Sequence, residues 1–221
     1  MNAFRAILAK DLRTELRTLE SVPAMALFAV TTFVLFRFGL DRTELEGSLA
    51  AGVLLATVLF AGLLAINRVF VAEREQGGFD AIRLAPVDGT ALFAAKVAVL
   101  VIYLAALEAI AVPVFAFFFG GTEGFLVLIP VLLLADLGLA TLGAIVSSIA
   151  VNSRARDLIA PLLLLPLLVP LMIAAAGAAE PLLAAGGPEY DDLGQWMAVL
   201  ALYDLVFVAL GYAVYDFLLE D

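Results

Sequence analysis

Two carboxylates stand in the middle of long apolar runs, where a charged group is least expected. Glu108 lies midway along residues 91–119, and Asp136 lies midway along residues 125–151. A charged group at the centre of a membrane costs about 2.5 to 3.5 kcal/mol on insertion scales, so each carboxylate needs a partner or a function. The one basic residue within these two runs, Lys96, comes twelve positions before Glu108.

Without a cation at the same depth, burial favours the neutral, hydrogen-bonding form of a carboxyl group. We therefore expect Glu108 and Asp136 to face a polar interior or each other. Two interpretations remain open for the pair. It belongs to a substrate path or proton relay, or it forms a hydrogen bond between helices that only stabilises the protein.

Several kinds of chemistry are excluded by residues that the sequence lacks. There is no Cys and no His, so disulfides, zinc sites, thiol catalysis, histidine general bases and the usual axial ligands of haem are absent. Lysine occurs only at Lys10 and Lys96, and neither follows a glycine, so the phosphate-binding pattern G-x-x-x-x-G-K-[ST] is missing. We expect no catalytic residue, no metal and no cofactor bound by this chain. If ATP powers it, another polypeptide binds the ATP.

The composition identifies the solvent of this protein as a membrane. The 221 residues are 64% hydrophobic and 15% charged, with a mean hydropathy of +1.10, which is more apolar side chain than one soluble core buries. The formal net charge of −10 argues against a nucleic-acid partner. We expect a single transmembrane domain over residues 1–221.

Six apolar runs are long enough to span a bilayer, which predicts an all-α polytopic membrane protein. The predicted spans are residues 22–40, 48–71, 91–119, 125–151, 158–178 and 195–219. Residues 1–20 have apolar side chains at helical spacing with charged side chains between them. This amphipathic pattern predicts a helix lying along the membrane interface, the alternative being a fraying cytoplasmic helix.

The basic residues indicate the orientation, because cytoplasmic connections near the ends of spans carry an excess of Lys and Arg. Nine of them fall on one side: Arg5, Lys10, Arg13, Arg17, Arg68, Arg74, Arg83, Arg154 and Arg156. Only Arg37 and Arg42 lie toward the other side. We therefore expect both termini to be cytoplasmic in a plasma (inner) membrane protein, with Arg68, Arg154 and Arg156 at its cytoplasmic surface.

The connection at residues 72–90 combines charge, glycine and a short apolar ridge. The residues that we expect to contact a soluble partner are Glu73, Arg74, Glu75, Gly77, Phe79, Ile82, Leu84 and Pro86. A small apolar ridge ringed by charge is suited to a groove on such a partner. The alternative is a charged loop that only anchors the orientation of the chain.

Several segments, in their order and spacing, resemble the haem exporter protein B family, CcmB, the ABC-2 type permease subunit of cytochrome c maturation. They are Asp11-Leu12-Arg13 with Glu15-Leu16-Arg17, Asn67-Arg68, Glu73-Arg74-Glu75, Leu84-Ala85-Pro86-Val87-Asp88, Lys96, Glu108, Pro113, Ser153-Arg154-Ala155-Arg156-Asp157, and Tyr215-Asp216-Phe217-Leu218-Leu219-Glu220. The resemblance runs over nearly the whole chain. Asp136 departs from it, so no family role is carried onto that residue.

The resemblance implies an ABC-2 permease fold like that of type V exporters, with six transmembrane helices, in a homodimer. It implies that residues 72–90 couple to a separate ATP-binding subunit, CcmA, and that the complex includes CcmC and CcmD. ATP hydrolysis by the partner then drives haem outward or releases the haem-loaded chaperone CcmE. Because this chain has neither His nor Cys, we expect the haem iron to be held by a partner.

Three alternatives are open at this stage. The first is an ABC-2 permease for another substrate, such as a lipid, a glycan or a drug. The second is an autonomous carrier driven by protons through Glu108, although no convincing internal repeat of the kind found in many carriers is present. The third is a purely structural scaffold.

Overall fold

The computed structural model describes residues 3–40, 44–75, 88–120, 124–150, 156–184 and 186–220. Within these ranges the chain is helical and contains no strand. The elements are α1 (Ala3–Thr18), α2 (Ser21–Gly39), α3 (Gly47–Glu75), α4 (Gly89–Phe119), α5 (Phe125–Ala150), α6 (Arg156–Ala179), a short 3-10 turn (Pro181–Leu183) and α7 (Leu193–Glu220). Six helices, α2 to α7, are long and apolar enough to cross a membrane. The predicted all-α class and the six spans are confirmed.

The helix ends lie within about two residues of the predicted spans, except at the end of α3. We predicted that this span ends at residue 71, whereas the helix continues to Glu75. The four added residues, Ala-Glu-Arg-Glu, are strong helix formers, so the helix extends beyond the apolar run that a membrane crossing requires. The predicted connection 72–90 therefore begins as a direct continuation of a spanning helix.

Helix α5 lies at the centre of the bundle. It contacts α3, α4, α6 and α7, and residues 138–148 are buried on every side. Ala140, Ala144 and Ser148 are all among these buried residues. The Ser148 hydroxyl lies 2.7 Å from the Tyr215 hydroxyl of α7. The outer helices α2 and α7 keep most of their surface exposed, as helices facing lipid do.

Helix α6 runs without interruption through Pro161, Pro166 and Pro170. Each proline removes a backbone hydrogen bond, so a carbonyl one turn earlier in the helix needs another donor. The Tyr203 hydroxyl of α7 donates to the carbonyl of Leu167, which lies next to the carbonyl that Pro170 leaves without its N–H partner. A neighbouring helix therefore does provide a donor close to the proline positions.

The connection between α6 and α7 carries the 3-10 turn Pro181–Leu183, whose Leu182 and Leu183 are buried. The turn contacts α3, α5 and α6. A Cβ on Gly124 would overlap the carbonyl oxygen of Leu182, so the chain passes the turn closely only because residue 124 is glycine. This short apolar segment is thus a single turn packed against the helices of the bundle.

Candidate functional site

Glu108 of α4 and Asp136 of α5 meet inside the bundle. Their side chains are close enough to share a hydrogen bond, Asp136 is fully buried, and Glu108 is 9% exposed. No donor from the described part of the chain reaches either Asp136 oxygen or Glu108 Oε1. Two ionised carboxylates are both acceptors, so a hydrogen bond between them requires a proton on one of the two. We expected these residues to face a polar interior or each other; the two carboxyl groups lie against each other, and their role stays a prediction.

A third carboxylate, Asp204 of α7, is buried against the other side of α5. Only 3% of the residue is exposed, and neither of its oxygens has a hydrogen-bond partner within the described ranges. A Cβ on Gly138 would lie 2.7 Å from Asp204 Oδ1, so the missing side chain of Gly138 makes room for this carboxyl group. Gly138 comes two residues after Asp136 on α5, so the carboxyl groups of Asp136 and Asp204 lie at the same turn of the central helix.

Sequence reasoning missed Asp204, although the signal was present. It is the only acidic residue between residues 193 and 215, in the middle of the last predicted span. The rule that singled out Glu108 and Asp136 applies equally to this position. The three carboxylates do not converge on one point, since the described residues contain no group of three acids close enough to hold a metal ion.

Helix α1 is fastened to α4 by a buried ion pair between Asp11 and Lys96. Lys96 Nζ donates to Asp11 Oδ2 at 2.8 Å, and Lys96 is 1% exposed. The Tyr103 hydroxyl, two turns further along α4, donates to the backbone carbonyl of Asp11 at 3.3 Å. Lys10 Nζ also lies 3.2 Å from Asp11 Oδ1. The lysine that provides no counter-charge for Glu108 therefore holds the N-terminal helix to the bundle.

Glu15 connects α1 to the first turn of α2. Its Oε1 accepts hydrogen bonds at 2.9 Å from the backbone N–H groups of Ser21 and Val22. The first N–H groups of a helix have no partner within the helix, and a carboxylate there also interacts favourably with the helix dipole. Glu20, at the position that usually caps such a helix, makes no side-chain cap. Leu19, between the two helices, has a φ of 51°, so the chain turns there and Glu15 lies beside the first turn of α2.

Both acids of α1 therefore face the bundle, which the amphipathic pattern alone did not predict. The sequence pattern places Leu16 and Leu19 on the apolar face of an interfacial helix and Glu15 off that face, and it predicts no side that meets the bundle. In the structure Glu15 is buried, whereas Leu16 is 74% exposed and Leu19 is 60% exposed. An ion pair and a helix cap, not apolar contact alone, decide which side of α1 meets α4 and α2. The helix itself lies at Ala3–Thr18, within the predicted segment 1–20.

The connection predicted to contact a soluble partner is only partly described. Glu73, Arg74 and Glu75 form the last helical residues of α3. At the other end, Asp88 caps α4, and its side chain accepts a hydrogen bond from the Thr90 N–H at 3.3 Å. Five of the predicted contact residues lie outside the described residues: Gly77, Phe79, Ile82, Leu84 and Pro86. The part that is described places both ends of the connection directly on spanning helices.

Three basic residues, Arg68, Arg154 and Arg156, were predicted to lie at the cytoplasmic surface, and the structure describes two of them. Arg68 of α3 is exposed, and its Nη1 lies 3.9 Å from Glu20 Oε2 at the junction of α1 and α2. Arg156 is the first residue of α6. Arg154 lies outside the described residues. An exposed ion pair such as Arg68 with Glu20 contributes little to stability.

Fold and site together define a multi-pass helical membrane protein with a few carboxylates buried in an apolar core and an N-terminal helix docked on the bundle. The chain belongs to the CcmB protein family, whose sequence profile matches residues 2–216. It is similar to proteins named heme exporter protein B. The one from Rhodobacter capsulatus is 30% identical over 171 residues, covering 76% of this chain and 78% of the relative. The one from Pseudomonas aeruginosa is 28% identical over 204 residues, covering 90% and 89%. That from Bradyrhizobium diazoefficiens is 28% identical over 215 residues, covering 96% and 94%.

Proposed function

We propose that this chain is the transmembrane permease subunit of an ABC-type haem export system acting in cytochrome c maturation. The observation that carries the proposal is the family match over residues 2–216, together with relatives named heme exporter protein B. In this proposal the chain is not itself an enzyme. A separate ATP-binding subunit, CcmA, hydrolyses ATP, and the chain works as a homodimer with CcmC and CcmD.

The described helices offer a continuous route for motion from such a partner into the membrane. Residues 73–75 are the end of α3, so force applied there acts on a helix that runs unbroken back to Gly47. Helix α4 starts one residue after Asp88, on the other side of the same connection. Along α4, Lys96 holds α1 and Glu108 meets Asp136 of α5. Movement of α4 therefore acts directly on both the N-terminal helix and the central helix.

The partner contact is tested by reversing charge at the end of α3. Glu73→Lys with Glu75→Lys is expected to abolish co-purification of the ATP-binding subunit while membrane insertion stays normal. The matched control, Glu180→Lys with Glu189→Lys, changes the same charge at two exposed acids in the connection between α6 and α7. Equal co-purification of the ATP-binding subunit with both double variants would refute the coupling role of residues 72–90.

In the proposed orientation, α1, the connection 72–90 and the C-terminus are cytoplasmic, and the α6–α7 connection faces outward. The chain has no Cys, so a single introduced cysteine reports its side without background. Asp191→Cys is expected to react in intact cells with a membrane-impermeant maleimide, whereas Arg17→Cys reacts only after the membrane is opened. Labelling of Arg17→Cys in intact cells would reverse the orientation.

The ATP-driven step is proposed to release the haem-loaded chaperone CcmE or to move haem outward, with the haem iron held by a partner. A complex whose ATP-binding subunit cannot hydrolyse ATP separates these outcomes. Accumulation of haem-loaded chaperone on the membrane supports release, and loss of haem from the chaperone supports export. Normal cytochrome c maturation in that complex would contradict both and would favour a structural scaffold.

A second candidate, a carrier driven by protons, is favoured by one observation, the contact between Glu108 and Asp136 inside the bundle. It predicts that the purified single chain transports its substrate along a proton gradient without ATP. The permease proposal predicts no transport from the chain alone. An ABC-2 permease for a lipid, glycan or drug predicts that no haem-binding membrane protein co-purifies with the chain.

A further inference from the structure

Helix α1 presents only basic charge to its surroundings. Its two acids, Asp11 and Glu15, are turned inward, where Lys96 and the first turn of α2 bind them. Its four basic residues, Arg5, Lys10, Arg13 and Arg17, are all exposed. Burial of the acids therefore makes the surface of α1 strongly basic in a protein whose formal net charge is −10.

Three of these bases share one face of the helix. Lys10, Arg13 and Arg17 follow one another at spacings of three and four residues, which places them in a row along one side of the helix. Neither Arg13 nor Arg17 forms an ion pair within the described ranges of the chain. We call Lys10, Arg13 and Arg17 the basic row of α1.

Exposed leucines lie beside the basic row. Leu16 is 74% exposed and Leu19 is 60% exposed, although Leu8 and Leu12 of the same helix pack against the core. Helix α2 follows directly and exposes further apolar side chains, among them Leu27 and Leu35. Basic and large apolar side chains together on the exposed side of a helix at a membrane boundary are typical of a surface that binds lipid at the interface.

We propose that the basic row of α1 binds the headgroups of anionic phospholipids, while Leu16 and Leu19 contact their acyl chains. Charge complementarity selects the headgroup, because the row has no acidic neighbour left exposed on α1. An acidic protein surface would match the row equally well in charge, but it would not account for the two leucines exposed beside it. The assignment to the inner leaflet rests on the proposed cytoplasmic orientation, whereas the lipid preference does not.

The test uses the full chain, purified with the subunits that stay bound, in nanodiscs of phosphatidylcholine mixed with phosphatidylglycerol. Native mass spectrometry counts the two lipids retained by the protein. We expect preferential retention of phosphatidylglycerol, which falls about fivefold for each arginine removed in Arg13→Gln and Arg17→Gln. The preference is also expected to weaken at high salt, because exposed charges are screened.

Arg37→Gln is the matched control, since it removes one arginine at the opposite end of α2. It is expected to leave retention of phosphatidylglycerol unchanged. Equal retention of the two lipids by the wild-type chain, or an unchanged preference in Arg13→Gln with Arg17→Gln, would overturn the proposal. So would loss of the ATP-binding subunit from that double variant with its lipid preference intact, because the basic row would then bind a protein. Size-exclusion chromatography checks that each variant is folded.

Discussion

Lys96 Nζ lies 2.8 Å from Asp11 Oδ2, and this buried ion pair joins two residues that are 85 positions apart in the chain. Asp11 belongs to the helix before the first span, and Lys96 belongs to the third spanning helix. A buried ion pair adds little net stability over apolar residues of similar size, but removal of one partner is costly because the other charge stays buried. The pair therefore fixes where α1 sits more than it stabilises the bundle.

Removal of Asp11 is predicted to be more harmful than removal of Lys96. Asp11→Leu leaves the Lys96 ammonium buried without this carboxylate and is expected to cost about 3 kcal/mol of unfolding free energy. Lys96→Met is expected to cost less, because Lys10 Nζ remains 3.2 Å from Asp11 Oδ1. The double variant should recover most of the loss. Thermal unfolding in detergent, followed by size-exclusion chromatography, measures all three.

The control for this series is Glu20→Gln, which removes an exposed ion pair with Arg68 and is expected to change stability by less than about 1 kcal/mol. A double variant that is less stable than either single variant would show that the pair contributes net stability. It would then contradict a purely positional role.

The cap that Glu15 provides is predicted to control the start of α2. Glu15→Ala leaves the Ser21 and Val22 N–H groups without their acceptor, at an expected cost of about 1 to 3 kcal/mol. Glu15→Gln keeps an acceptor but loses the charge that interacts with the helix dipole, so its cost is expected to be about 1 kcal/mol.

Hydrogen exchange followed by mass spectrometry reports the cap locally. The peptide that contains Ser21 and Val22 is expected to exchange faster in Glu15→Ala, whereas Glu20→Ala leaves it unchanged because Glu20 makes no side-chain cap. Faster exchange in Glu20→Ala together with normal exchange in Glu15→Ala would show that Glu20, and not Glu15, caps α2.

The sequence predicted the helices well because a membrane span must be apolar over a fixed length. Six spans and most of their ends follow from that requirement alone. The same reasoning predicted that Glu108 and Asp136 are unusual, but it could not pair Asp11 with Lys96. That contact depends on how α1 lies against α4, which a hydropathy pattern does not contain.

Asp204 could have been found from the sequence, because a single acid in a long apolar run has the same signature as Glu108. What the sequence does not contain is its packing against Gly138, which explains how the bundle accommodates the carboxyl group. A glycine in a helix is visible in a sequence, but the side chain that packs against it is not. The side of α1 that faces the bundle was not predicted, because apolar spacing indicates an interfacial helix but does not reveal what two acids four residues apart, Asp11 and Glu15, bind.

Glu108 and Asp136 are predicted to behave as a unit. Glu108→Leu alone leaves Asp136 fully buried with no partner and is expected to cost about 1 to 3 kcal/mol. Glu108→Leu with Asp136→Leu removes both polar groups and is expected to fold better than the single variant. Glu108→Gln with Asp136→Asn retains hydrogen bonding without charge.

Activity then separates structure from function for this pair. If the chain has the proposed function, normal cytochrome c maturation with Glu108→Gln, combined with loss in Glu108→Leu, assigns the pair a structural role as a hydrogen bond between α4 and α5. If the well-folded Glu108→Gln variant is inactive, the ionisable group itself is required. A Glu108→Leu variant as stable as the wild type would show that the two side chains do not depend on each other.

Gly138 is predicted to be required for close packing of α5 against α6 and α7. In Gly138→Ala the new Cβ would lie 2.6 Å from Leu171 Cδ1 and 2.7 Å from Asp204 Oδ1, so both side chains must move. We expect a loss of about 1 to 3 kcal/mol, as is usual for an overpacked core. Gly194→Ala is the control, because no atom lies within 4 Å of its new Cβ.

Asp204→Ala combined with Gly138→Ala should cost less than the sum of the two changes, since the smaller side chain vacates the space that the methyl group needs. Additive losses in that double-mutant cycle, measured by thermal unfolding, would show that Gly138 does not accommodate Asp204.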